Sequence, residues 1–423
     1  MSTPAALPSP APRTAQLRLE PALRWALLLF VAMRLLTALV AYGVNTAAQR
    51  PYPVFPDGII ELRSETFILQ GPLRGWFDPW YRYDTGWYLY IAHEGYQPDA
   101  PTIIFAPFYP LLVRLLSPLM GGDYLVAALL VSNVACIIAF YLLYRLVAGE
   151  YGHQLAVLTL LLYASFPTAF YLVAGYTEST FMALALGAWL AVRAQRYWLA
   201  GLLAFCAALT RAQGWALALP FAYIILERMG QARGGFWPGI RYYLAQPLEA
   251  LRVGLPMSPA VLGGVLGTAA YVFGMQWTGM GSVEEAFLNP PWNTRVQAPW
   301  ETIIAALRVL LDGTARLHDL ASMAVFVFIV FTGVAALRRL KPQYWLLVWP
   351  TLFFILLRGH DTFQFHGILR YALYMFPAFM VIALLLQQQQ RFTTRLLTGL
   401  WIIGGVLLQL MFVAAFALWG WVS

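Results

Sequence analysis

The residues of this chain that could do chemistry fall in four short stretches. In RYDTGWYLYIAHEGY, residues 82–96, Asp84 opens an aromatic, helix-forming segment. A carboxylate at a helix start is held by backbone donors and partly shielded from water, which suits a base taking the proton of a hydroxyl that attacks an anomeric carbon. The same position suits a helix N-cap. Arg82 stands two residues earlier as an anion ligand, and His93 and Glu94 follow about two and a half turns later, where they contact head groups or decorate a solvated face.

The second stretch, GYTES at 175–179, leaves Glu178 between two apolar runs, to bind sugar hydroxyls or to cap the next helix. The third, LTRAQG at 209–214, sets Arg211 between two more, where a charge demands a partner: a lipid-linked phosphate or Glu178. The fourth, RGHDTFQFHGILRYALYMFP at 358–377, gathers Arg358, His360, Asp361, His366 and Arg370 near one helix end. Arg370 is the first choice for phosphate recognition, because a guanidinium can grip a phosphate bidentately and hold charge on a leaving group. Interfacial snorkelling explains it as well. His366 joins His93 among the substrate-side candidates. The His360, Asp361 and His366 spacing matches no strong zinc signature, and no D-x-D pair occurs, so no metal and no cofactor is expected.

The elements that must position these groups are membrane helices. The 423 residues are 61% hydrophobic and 11% charged, with a mean hydropathy of +0.65, a profile that a water-facing surface excludes. Apolar runs near the length that crosses ~30 Å of hydrocarbon recur through the chain. They predict about eleven spans, at 25–43, 125–146, 155–174, 177–192, 197–209, 212–226, 260–277, 320–337, 344–357, 368–386 and 396–419. Residues 1–24 read as a cytoplasmic tail before a retained signal anchor, and 25–423 as one membrane domain without a soluble catalytic unit. The first outer loop, 44–119, carries surface helices, one of them at 107–119, and a second outer loop covers 278–319.

With the N-terminus inside, the basic clusters at 145, 193–196, 228–252, 338–341 and 391–395 all fall on the cytoplasmic side, and every chemically interesting residue falls outside. The net charge of +8 is therefore a topology signal and not a nucleic-acid footprint. Arg34, near the middle of the first run, reads as a structurally paired charge. Cys136 and Cys206 lie inside apolar runs, which excludes a disulfide framework.

Taken in order, the motifs resemble the PIG-V family, the GPI mannosyltransferase II enzymes and their bacterial relatives. RYDTGWYLYIAHEGY is similar to RWDAxWYxxIAxxGY, FAPFYPLLVRLL to FFPLYPLLVR, FPTAFYLVAGYTES to FP…GYSES, LTRAQG to LTRxxG, and GILRYALYMFP to RYxxxxFP, while SNVACIIAFYLLYRL matches the second span. The resemblance implies a GT-C membrane fold, an outer-loop catalytic acid at Asp84, and inverting, metal-independent transfer from a polyprenyl- or dolichyl-phosphate-mannose donor. It carries the family's other marked positions onto Glu178, Arg211 and Arg370. Tyr83 stands where Trp usually precedes the acid, and His93-Glu94 reverses the common order.

The expected function is thus a membrane glycosyltransferase acting on a lipid-linked or glycolipid acceptor among membrane lipids, alone or with a small membrane partner subunit. Lys341 is the only lysine, a bias common in GC-rich bacteria, which points to a plasma membrane with the site facing outward; in a eukaryote the site would face the lumen of the endoplasmic reticulum. The alternatives are a non-catalytic subunit that binds a lipid-linked sugar, and a lipid flippase or transporter. A transporter would show inverted repeats and charges along a path across the bilayer.

Overall fold

A computed structural model describes residues 20–48, 71, 73–360, 364–420 and 422. Helix α1 (Pro21–Ala48) is followed by a one-turn helix α2 (Arg74–Phe77), then α3 (Asp84–Glu94) and α4 (Phe108–Leu116). Asp123 caps α5 (Tyr124–Tyr151), its carboxylate accepting from the Val126 N–H at 2.8 Å. Next come α6 (His153–Ala164), α7 (Glu178–Arg193), α8 (Tyr197–Thr210) and α9 (Ala218–Gln231). Two short helices, α10 (Phe236–Ala245) and α11 (Pro247–Gly254), lead into α12 (Ser258–Trp277). The remaining elements are α13 (Val283–Leu288), β1 (Thr294–Val296), α14 (Pro299–Leu311), α15 (Leu317–Arg339), α16 (Pro342–Leu356), β2 (Arg358–His360), α17 (Ile368–Tyr371), α18 (Pro377–Gln387) and α19 (Arg391–Ala417).

Five segments are long and apolar enough to cross a bilayer: α1, α5, the run Pro247–Trp277, α15 and α19. A sixth is added if α17 and α18, bent by 71°, count as one. Their outer faces expose Leu35, Leu39, Val327, Phe331, Leu400 and Leu407, a surface favourable only in hydrocarbon. The chain is accordingly an integral membrane helical protein. Length and composition do not reach the expected eleven spans, because α6, α8 and α16 are apolar but hold only 12, 14 and 15 residues.

Two runs read as continuous are broken. The run at 155–174 leaves the α-helix after Ala164 and resumes as a 3-10 turn at Ala169–Leu172, since Pro167 has no N–H to continue the ladder. The run at 368–386 breaks between Tyr374 and Pro377. Carbonyls at this second break are satisfied by the first: the Tyr163 hydroxyl donates to Leu373 O at 3.0 Å and Thr168 Oγ1 to Leu369 O at 2.6 Å. The expected outer loops are also more structured than a loop reading implies. Residues 278–319 hold α13, β1, α14 and the first turn of α15. In 44–119, α1 continues to Ala48, residues 49–70 and 72 lie outside the described residues, and α4, roughly 14 Å long, is too short to cross. The tail at 1–19 also lies outside the described residues.

The helices define two ends. At one, Arg145 at the end of α5 pairs with Glu20 at the start of α1 at 3.0 Å, Arg193 at the end of α7 pairs with Glu150 at 2.7 Å, and Arg228 on α9 donates to the Tyr197 hydroxyl at 2.8 Å. Arg339 on α15 donates to Gln388 after α18 at 2.6 Å. Arg145, Arg193 and Arg228 therefore share one end, where Arg228 Nη2 also donates to Arg193 O at 3.3 Å. The opposite end collects the start of α7, the end of α8, the end of α1 and the end of α19. Between them, Arg34 on α1 lies over Trp80, 4.6 Å from the ring centroid, and donates to Val173 O at 3.3 Å.

Helix α8 crosses α12 in close backbone contact. A Cβ on Gly263 would lie 2.1 Å from Gly201 O and one on Gly267 2.5 Å from Phe205 O, so the glycines admit backbone where no side chain fits. In a membrane, where lipid is as apolar as leucine, such contact supplies the packing that holds helices together. It also brings the break at Arg211 against α12, where Thr268 Oγ1 donates to Ala212 O at 2.9 Å.

Candidate functional site

Asp84 is the first residue of α3 and not its cap; the cap position is Tyr83, at φ +49°. A non-glycine residue with positive φ is strained unless its surroundings hold it. The Tyr83 ring is held between Phe416 and Trp419, at centroid distances of 5.8 and 5.6 Å. That turn aims the Asp84 carboxylate at Arg370, whose Nη1 lies 2.6 Å from Asp84 Oδ2.

Arg370 comes from α17, launched by Gly367 at φ +78°, where a Cβ would meet the Tyr371 ring at 2.8 Å. Its Nε donates to Glu178 Oε1 at 2.7 Å, so one guanidinium bridges two carboxylates. Glu178 is the first residue of α7, where the helix dipole favours negative charge. Its Oε1 also accepts from Arg211 Nη1 at 3.1 Å, and the same nitrogen donates to Thr177 Oγ1 at 2.7 Å. Arg211 sits in extended backbone, φ −153° and ψ 133°, at the break between α8 and the 3-10 turn Ala212–Leu217. The two short helices expected to meet there do so.

The four side chains are nearly or fully removed from solvent: 13% exposed for Asp84, 8% for Arg370, 10% for Arg211 and 0% for Glu178. Charge at such depth persists only when paired, and here two carboxylates match two guanidinium groups. Four tyrosine rings complete the shell, Tyr171 and Tyr176 around Arg370 at 5.2 and 4.7 Å, Tyr371 and Tyr374 around Arg211 at 5.2 and 5.0 Å.

Asp84, Arg211, Arg370 and His366 line one cavity of about 410 Å³. Its wall includes Tyr88, Phe105, Trp215, Tyr271, Phe287 and Trp292, so a few charged groups stand on a largely aromatic and aliphatic surface. Glu178 lies behind the two arginines. His366 precedes α17; burial, reinforced by the charges of Arg358, His360, Arg370 and His318, holds its imidazole well below the usual histidine range.

Arg82 and His93 do not join this group. Arg82 turns to the backbone: Nε donates to Ala417 O at 3.0 Å and Nη1 to Asp78 O and Tyr81 O at 2.7 and 2.9 Å, while Nη2 donates to Asn45 Oδ1 at 3.1 Å. It ties the end of α19 to the end of α1. His93 lies at the far end of α3, its Nδ1 2.6 Å from Glu94 Oε1 and its ring edge-on to Tyr124. Asp361 lies outside the described residues. Among the described residues, no group of three His, Cys, Asp or Glu side chains is placed to share a metal ion. Arg358, named in the fourth stretch without a role, also belongs to the cavity.

Neither a protein-family model nor a curated protein sequence matches this chain, so the resemblance to the PIG-V family rests on the motifs. Among solved structures the chain is similar to the oligosaccharyltransferase of Archaeoglobus fulgidus. With zinc and sulfate bound, that protein gives a TM-score of 0.43 at 15% identity, over 92% of this chain and 53% of that one. Its apo form gives 0.44 at 15% identity, over 91% and 56%. The archaeal oligosaccharyltransferase AglB from the same organism, in complex with an inhibitory peptide and a dolichol-phosphate, gives 0.42 at 12% identity, over 92% and 56%. The chain spans about half the length of the structures it matches.

Proposed function

We propose that this chain is a membrane glycosyltransferase that moves a sugar, mannose on the strength of the motif resemblance, from a lipid-phosphate donor to a lipid-borne acceptor hydroxyl. The observation that carries the reading is the Asp84 carboxylate, aimed into an aromatic cavity and held at 2.6 Å by a guanidinium that is itself shared with a buried glutamate. Such a constellation costs free energy to bury and serves chemistry between a hydroxyl and a phosphodiester better than it serves packing.

In the reaction, Asp84 accepts the acceptor hydroxyl's proton as that oxygen forms its bond to the anomeric carbon. The bond from that carbon to the phosphate oxygen breaks on the opposite side, and its electron pair leaves with the phosphate. Arg370, with Arg211, steadies the departing charge. These steps invert the anomeric centre and call on no metal. On this reading the helices alternate between the two ends as eleven crossings, and the end rich in arginine is cytoplasmic, so the cavity faces the other side. A lipid acceptor resembling that of GPI mannosyltransferase II is the substrate class to try first.

The test is transfer of labelled sugar from synthetic polyprenyl-phosphate-mannose to extracted host lipids, by wild type and Asp84→Asn matched for folding. Transfer that vanishes in the variant supports the reading. Equal transfer in both removes Asp84 as the base, and retained growth of a host carrying only the variant favours a non-catalytic lipid-binding subunit.

A further inference from the structure

Charge matching inside the cavity points to a third functional arginine. Asp84 and Glu178 are matched by Arg370 and Arg211, so an incoming phosphate finds that quartet already neutral. Arg358 lines the same cavity, as do Glu284 and Arg295, and among the described residues no carboxylate lies within ion-pair distance of Arg358. Its Nη1 donates to the Tyr371 hydroxyl at 2.9 Å, and its guanidinium lies over Phe287, 4.8 Å from the ring centroid. Tyr371 thus has Arg358 on its hydroxyl and Arg211 over its ring face, which joins Arg358 to the quartet through one side chain.

The backbone beneath Arg358 is fixed. Strand β2 pairs antiparallel with β1, with Val296 opposite Arg358 and Thr294 opposite His360, and Gln297 N donates to Leu357 O at 2.9 Å. A partly buried cation with spare N–H donors, on a pinned strand, in a mostly apolar cavity, is a built anion seat. We infer that Arg358, with the Tyr371 hydroxyl, binds a phosphate group of one of the two lipid substrates. The inference rests on the proposed function and deepens it, adding a third guanidinium for the lipid phosphate beside Arg370 and Arg211.

Two sources share this chemistry, the phosphodiester of the donor and a phosphate on the acceptor lipid. The experiment compares wild type, Arg358→Gln and Arg358→Lys in detergent, first by calorimetric binding of a short-chain polyprenyl phosphate and then by steady-state kinetics with each substrate varied. Expected is a loss of affinity of about tenfold or more in Arg358→Gln and partial recovery in Arg358→Lys. A KM rise confined to the donor assigns the seat to the donor phosphate, and one confined to the acceptor assigns it there; both support the inference. Wild type that binds no polyprenyl phosphate, or Arg358→Gln that binds it as wild type and keeps both KM values, overturns it. The arms separate the two proposals: Arg358-dependent binding without any transfer leaves the seat and removes the glycosyltransferase, whereas transfer indifferent to Arg358 does the reverse.

Discussion

Arg370 reaches across 286 residues of sequence to place Nη1 2.6 Å from Asp84 Oδ2 while its Nε holds Glu178. The two carboxylates differ in burial, and the difference predicts different costs. Glu178 is wholly buried and anchors both guanidinium groups, so Glu178→Gln leaves a cation in excess at depth and destabilises the fold by about 3 kcal/mol or more. Asp84→Asn, at the cavity wall, costs much less. Thermal unfolding in detergent checks the order, and equal melting temperatures for the two variants would contradict it.

The α8 and α12 crossing predicts a contrast between glycines of one helix. Gly263→Ala forces a methyl to within 2.1 Å of Gly201 O, whereas Gly274→Ala meets nothing within 4 Å. The first should lower the folded yield and the melting temperature and, by moving Arg211 and Tyr271, weaken polyprenyl phosphate binding. The second should leave both unchanged. Wild-type behaviour of Gly263→Ala would show that the helices separate at little cost.

Much of this was legible in the sequence. The charges that end or interrupt apolar runs, Glu178 and Arg211, announced themselves because a charge in such a setting demands a partner, and they prove to be each other's. The break at Arg211 was readable for the same reason. What could not be read is pairing across distance: nothing local links Asp84 to Arg370, or β1 to β2. The breaks at 165–168 and 375–376 were hidden by uniform hydrophobicity, although Pro167 and Pro377 mark them. Arg82 misled because an arginine beside an acid reads the same whether it serves a ligand or a backbone carbonyl.

That ambiguity has a test. Arg82 is buried and donates to three carbonyls and Asn45, so Arg82→Gln should destabilise by about 1–3 kcal/mol through orphaned acceptors. The protein that still folds should bind polyprenyl phosphate with wild-type affinity. His93→Ala, at a partly exposed position paired with its neighbour, should shift stability by about 0.5 kcal/mol or less. Lost affinity in correctly folded Arg82→Gln would return Arg82 to the site.

His366 predicts a pH dependence whose sign follows from its setting. Burial, with Arg358, His360, Arg370 and His318 adding repulsion, holds the folded-state imidazole neutral to well below the ordinary value of 6.5. The unfolded chain takes up a proton near pH 6.5 while the folded chain does not, so the unfolded state binds more protons there and gains as pH falls. Stability from this group is therefore full above about pH 6.5 and declines below it until the folded-state value is reached. Melting temperatures measured from about pH 7.5 to about pH 5.5 should fall in wild type and fall less in His366→Gln, which cannot take up the proton. Parallel curves for the two proteins would mean that His366 titrates alike in both states and that its burial beside Arg358 does not govern its charge.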